Sequence, residues 1–476
     1  MPKLSRQPVS IADVVAVARD GAPVTLTSVV ERDLAASRSI VDAVLADGVP
    51  VYGLNTELGA GRDIVVSAER LEEFQRRTIR NSSGGIGAPL SEEQTRALVF
   101  ARLVGFTRGG AGVTPALAHA YRDLLNVGPL PYVPRTGSVG AADLTHLAAV
   151  AAAVDHVFQP HEALAALSGN AYSVGVGALV LDDLASLVNT ADLVVALSVS
   201  GLRTHTTGGS GSPFSAPVQS AHRSVGQAAS AARVRALLDD ADVSSTQDPV
   251  SFRSSPQVHG AFAESVTRAA EAVILELNSR TENPLVDVET GSMVSGGNFQ
   301  VLGLALSFEQ LRLAIAHVAV TSERRLSTLS GLGAPFRRSG ETRVPGLLWY
   351  SAAALVSELR HLANPVTLAA PSLSEAVEDH SSNAAVALQL LERSVELART
   401  VLTIEAVSAV ELLLLADAPP LTPRLAAVVA SIAALLDAGM PAHELVVHAA
   451  RIIENAAVPV VQAADSFSAE PLDDEI

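Results

Sequence analysis

Acid–base and anion-binding residue types stand in three short stretches of this chain. Tyr52 lies in "VYGLNTELGAG", a polar loop after an apolar run. A phenol there can move a proton if its neighbours bring its pKa down from about 10. It can equally serve as a packing or hydrogen-bond anchor. Arg253 lies in "QDPVSFRSSPQVHG", among turn residues. A guanidinium so placed can hold a carboxylate through two parallel bonds, or form a structural ion pair. Glu378 opens the Glu378-Asp379-His380 run of "VEDHSS". A carboxyl is a natural acid–base group, whereas the run lacks the paired histidines of a metal site and also suits helix capping. No metal is expected.

Other stretches are weaker taken singly. "GGNF" at 296–299 needs backbone freedom, "TSERR" reads as a solvated turn, and "TTGGSGS" looks like a phosphate loop without the lysine and hydroxyl residue that should follow. "GSVGAADLTHL" at 137–147 reads as a tight glycine-rich loop feeding a helix, with Asp143 near the helix start.

The positioning elements are mostly helical. Phe262, Val266, Ala269, Val273 and Leu277 recur at spacings of 4, 3, 4 and 4, and Leu388, Leu391, Val395, Ala398 and Leu402 at 3, 4, 3 and 4. Each set makes one apolar stripe. The second predicts a helix over 381–418, stopped by Pro419-Pro420; at ~1.5 Å per residue it spans ~57 Å. The chain divides by texture into a loop-rich region at 1–215 and a long-helix region at 216–476. The expected fold is mainly α, a long central bundle with a smaller loop-rich N-terminal region. An apolar content of 48% exceeds what one bundle hides, so burial between subunits is expected. A net charge of −17 argues against nucleic acid or an anionic membrane. The absence of cysteine removes disulfides and thiol nucleophiles. No apolar leader opens the sequence and no stretch reaches ~18 uninterrupted apolar residues. A cytoplasmic protein acting on a small molecule is the expectation.

The order of the motifs is more specific than any one of them. "YGLNTELG", "GGIGAPL", "GSVGA.DL", "SVGQ", "QDPVSFRSSPQV", "ELNSRTENPL", "SGGNFQ", "SERR" and "VEDHSS" resemble, end to end over about 10–415, the histidine/phenylalanine/tyrosine ammonia-lyase and aminomutase family. The resemblance implies a helical homotetramer whose active sites draw on more than one subunit. It also implies MIO, the methylidene-imidazolone electrophile that relatives form by cyclising and dehydrating Ala-Ser-Gly within Gly-Ser-Val-Gly-Ala-Ser-Gly-Asp-Leu. Here Gly140-Ala141-Ala142-Asp143 is one residue short, with alanine for serine and no following glycine. There is no hydroxyl to lose as water, so no cofactor is expected.

Through the resemblance, Tyr52 matches the family's general base, Arg253 its carboxylate-binding arginine and Glu378 its site glutamate. Gln247, Asn298 and Phe299 match pocket residues. Ser82 stands at the ring-selecting position, while Ser168, Val250 and Gln300 replace asparagine, tyrosine and histidine. Groups serving the electrophile are lost while the base and the anion clamp persist. Three readings follow: an MIO-independent enzyme using Tyr52 for proton transfer on an anionic substrate, by elimination, addition, isomerisation or cyclisation in specialised biosynthesis; a non-catalytic binding or scaffold protein of the same fold; or residual amino-acid lyase activity through another electrophile. The fumarase/aspartase pattern Gly-Ser-x-x-Met-Pro is absent, since "GSMVSGGNF" lacks Met-Pro.

Overall fold

The computed structural model describes residues 2–238, 246–416 and 421–457. Four long helices form the centre: α1 (Ala171–His205), α2 (Ser255–Asn278), α3 (Leu302–Leu332) and α4 (Ala384–Leu414). α4 packs along both α1 and α3, and α2 packs on α1 and α3. α1 is apolar on all sides and buried along most of its length, as a central helix must be. Two helices, Glu162–His205 and Leu302–Leu332, are long and apolar enough to cross a membrane by composition, but the most apolar window of the first is wholly inside the fold.

Both apolar stripes face this core. Phe262, Ala269, Val273 and Leu277 of α2 and all five stripe residues of α4 are buried, with Val266 packed partly against them. α4 is shorter than the spacing predicts. It begins at Ala384 because Ser382 and Asn383 are held by the 139–140 backbone: the Ser382 hydroxyl donates to the Gly140 carbonyl (2.9 Å) and the Asn383 amide to that of Val139 (2.8 Å). Asn383 takes a left-handed φ of 55° there. The helix ends at Leu414; the expected Pro419-Pro420 stop lies outside the described residues.

Two buried carboxylates inside the bundle are paired, which limits the cost of burying them. Arg325 on α3 meets Glu405 on α4 through Nε (2.6 Å) and Nη2 (2.9 Å). Ser198 and Ser322 donate to the same carboxylate at 2.6 and 2.5 Å, which fixes α1, α3 and α4 in register. Asp192 on α1 likewise takes bonds from Ser230, Arg233 and His259 at 2.6, 2.7 and 2.8 Å.

The strands are minor. Lys3–Leu4 pairs in parallel with Thr25–Leu26; Ile86–Pro89 pairs antiparallel with Pro134–Thr136, and Leu285–Asp287 antiparallel with Ser292–Val294.

Candidate active site

Tyr52 is set on a loop tied to itself. The Asn55 side chain accepts from the Val51 amide (2.7 Å) and donates to the Val49 carbonyl (2.9 Å). Farther along, the Glu57 amide donates to Ile64 and the Val66 amide to Asn55, each at 2.9 Å. The loop carries a short 3-10 turn, Gly59–Gly61, whose first amide donates to the Tyr52 hydroxyl at 3.0 Å.

Glu378 faces the same space from a second loop. Leu373 and Glu378 exchange backbone hydrogen bonds (2.8 and 3.2 Å), closing a tight turn. Ser374, Glu375 and Ala376 inside it all adopt left-handed φ, at 53°, 53° and 65°. Such a conformation costs a non-glycine residue ~1–2 kcal/mol, and it sits beside the site, where strain often concentrates. The two loops touch closely: a Cβ on Gly59 would lie 2.4 Å from the Ser374 hydroxyl.

The shortened loop at 137–143 forms a third wall. Gly140 bridges to Ala142, and Ala141 to Gln300. Gly140 and Ala142 have left-handed φ of 83° and 58°. Asp143 stands at the N-cap of the Leu144–Ala151 helix but makes no side-chain cap there. Its carboxylate instead accepts from Ser138 Oγ (2.7 Å) and from the Ser173 amide in the first turn of α1 (2.9 Å), where the helix dipole favours negative charge. Its own amide donates to the Gly169 carbonyl at 2.8 Å.

Together these loops enclose a cavity of about 610 Å³. Tyr52, Ser82, Ala141, Ala142, Ser168, Phe299 and Glu378 all line it. Ser168 is also a brace, accepting from the Asn283 amide at 3.0 Å. Gln300 does not line the cavity; its side-chain amide bonds His380 Nδ1 (2.9 Å), holding the stretch that carries Glu378. Asn298 is exposed and donates to the Arg280 carbonyl at 3.2 Å. Gln247, Val250 and Arg253 stand together on an exposed segment before α2, away from this cavity within one chain. Asp248 explains both that segment and the phosphate-loop look of "TTGGSGS": its carboxylate takes the Gly209 and Ser210 amides at 3.0 and 2.9 Å, so the donors a phosphate would use are occupied. Among the described residues no three His, Asp or Glu side chains converge as metal ligands.

The electrostatics bear on how Tyr52 can move a proton. A tyrosine base needs neighbours that favour phenolate. Here burial is the largest influence and the Glu378 charge adds to it, so the Tyr52 pKa is raised despite the Gly59 amide and Arg62. Burial also raises the Glu378 carboxyl above its ordinary range. The resting pair is therefore a phenol beside a carboxyl that holds its proton unusually well.

Sequence reasoning missed Arg62 and Asp63, which line the cavity directly after the 3-10 turn. The adjacent charges in "GAGRD" were the only signal, and their direction is set by the turn.

The aromatic amino acid lyase family matches residues 9–155 and 155–434. A histidine ammonia-lyase of Anaeromyxobacter sp. (strain K) is 33% identical over 459 residues, covering 86% of this chain and 89% of the relative. Among solved structures, the ergothionase of Treponema denticola in complex with desmethyl-ergothioneine sulfonic acid superposes with a TM-score of 0.87 at 24% identity, over 96% of this chain and 99% of that one. The phenylalanine aminomutase of Pantoea agglomerans gives 0.86 at 21% identity, over 96% and 100%. These likenesses establish the fold.

Proposed function

This chain belongs to the aromatic amino acid lyase family, and we propose that it is an enzyme of that family which works without MIO, moving a proton on an anionic small molecule. The carrying observation is the cavity in which Tyr52 and Glu378 meet beside the shortened loop. The residues at 140–143 do not fit the family's electrophile. Cyclisation needs the amide after a serine to attack the carbonyl before it. Here that amide, of Asp143, is engaged with Gly169, and Ala142 has no hydroxyl to eliminate.

The chemistry must then rest on side chains and positioning. A general acid or base contributes ~10²–10⁴-fold, far below the acceleration that deamination of an unactivated amino acid demands. The fitting substrate has an acidified C–H, a better leaving group than ammonia, or a conjugated acceptor. Tyr52 starts as proton donor and the Glu378 carboxylate, when ionised, as acceptor. Elimination, addition, isomerisation and cyclisation all divide this way, in a biosynthetic setting. The family's assembly implies a homotetramer in which Arg253, Gln247 and Val250 reach a neighbouring copy's cavity.

Two measurements test the reading. Intact mass should equal the unmodified chain, and phenylalanine, tyrosine and histidine should yield no cinnamate, coumarate or urocanate; loss of two waters within 140–143 overturns it. In D₂O, wild type should exchange a carbon-bound proton in a carboxylate of a cell metabolite extract, and Tyr52→Phe should not. No exchange by either protein transfers the assignment to a non-catalytic binding protein.

A further inference from the structure

We infer that Ser168 and Asn283 form a two-donor site for a carbonyl oxygen of the substrate, so that the acidified C–H this enzyme acts on is one next to a carbonyl. Ser168 Oγ accepts the Asn283 amide at 3.0 Å, which sets two residues far apart in the chain side by side on the cavity wall. That bond uses the serine oxygen and leaves its proton free: Ser168 Oγ donates to none of the described residues. The Asn283 carboxamide is likewise half used. Its Oδ1 accepts from the Gly296 amide (3.1 Å) and the Ser295 hydroxyl (3.4 Å). An N–H gives only to oxygen, so the Gly296 contact fixes which end of the carboxamide is which. The Nδ2 donors are left without a partner among the described residues. One hydroxyl and one amide N–H, adjacent and both uncommitted, are the parts of an oxyanion hole.

The two donors are held from inside the protein. Ser168 is the C-cap of the Glu162–Leu167 helix, its amide bonded to the Leu164 carbonyl (2.8 Å), and is itself buried. Asn283 follows Glu282, whose carboxylate pairs with Arg102 at 3.2 Å, both side chains buried. The same Arg102 nitrogen donates to the Ala165 carbonyl of that helix. One buried guanidinium thus ties the helix before Ser168 to the residue before Asn283. Donors fixed in this way meet a developing charge without reorganising, the condition in which they are worth most. In the step itself, the Glu378 carboxylate takes the proton from the carbon next to the carbonyl. The C–H pair becomes the C=C bond of an enolate, and the carbonyl π pair moves onto the oxygen that Ser168 and Asn283 hold. Return of the proton, to the same carbon or to one conjugated with it, regenerates the carboxylate, and no co-reactant is needed. Leu164, Leu167 and Phe299 leave room for an apolar body. The class implied is a carbonyl compound with such a body.

The inference rests on the proton-transfer reading of this cavity, and its test is separable from that reading. Binding of 4-nitrophenol to the full-length protein is followed near neutral pH by the phenolate absorbance, for wild type, Ser168→Ala, Ser168→Thr and Asn283→Ala, with melting temperatures as a fold check. An oxygen seated between the two donors is held as phenolate. The charged groups that also line the cavity, Arg62, Asp63 and Glu378, are the same in every variant, so the differences read the two donors. Each alanine variant should weaken phenolate binding roughly 10-fold to 100-fold, the worth of one hydrogen bond to a charged group. Ser168→Thr keeps the hydroxyl and should bind nearly as wild type does. A wild type that holds no phenolate, alanine variants that hold it as tightly as wild type, or a Ser168→Thr as weak as Ser168→Ala overturns the inference. Donor-dependent phenolate binding without D₂O exchange leaves the donor site standing and removes the catalytic reading; exchange with donor-independent binding does the reverse.

Discussion

Gly140→Ala tests whether the shortened loop is a closed, rigid wall. Gly140 has a φ of 83°, which costs a Cβ-bearing residue ~1–2 kcal/mol. The added methyl would lie 2.4 Å from the Ser382 hydroxyl, 2.8 Å from the Ala384 amide and 2.9 Å from the Asn383 amide. The two amides belong to the start of α4 and cannot move without disturbing it. Overpacking of this kind costs ~1–3 kcal/mol. Ser382 can rotate away only by giving up its bond to the Gly140 carbonyl, worth ~1 kcal/mol. The sum is about 3–6 kcal/mol of destabilisation. Urea unfolding at fixed protomer concentration measures it from the midpoint and slope. Gly296→Ala is the control, since nothing lies within 4 Å of its Cβ and its φ is not left-handed; it should change stability by less than ~0.5 kcal/mol. If the two variants unfold alike, the loop is not seated against residues 382–384 and the cavity wall described above is wrong.

Tyr52→Phe leaves the Gly59 amide without its acceptor, so stability should fall by only ~1 kcal/mol while proton exchange falls ~10²–10⁴-fold; a stability loss as large as the activity loss would mark Tyr52 as structural. Burial raises the Glu276 carboxyl to about 7 from about 4.5. Its contribution to folding is thus fully present below pH ~4.5 and is lost as pH rises through ~7. Glu276→Gln should flatten this part of the stability–pH curve, and superposable wild-type and variant curves would show that Glu276 titrates normally. Light scattering at micromolar concentration is expected to give four chains per particle; a monodisperse monomer would leave Arg253 without a route to any cavity.

The sequence by itself determined the class and the cast. A helical stripe is a local property of 3.6-residue periodicity, so the core faces of α2 and α4 were legible from spacing alone. Side-chain chemistry is likewise written in the residue: Ala142 carries no hydroxyl in any conformation, and Tyr52, Ser82, Ser168, Phe299 and Glu378 do line one cavity. Only the tertiary structure decided which groups converge, because convergence depends on turns and packing between residues far apart in the chain. The 3-10 turn after Tyr52 brought Arg62 to the cavity; the segment before α2 kept Arg253 out of it within one chain. Asp143 went to the first turn of α1, not its own helix, since the fold brings unsatisfied amides there. The ionisation of Tyr52 was also undecidable from type and spacing. Burial and the Glu378 charge set its direction, and both exist only once the loops have closed around the cavity.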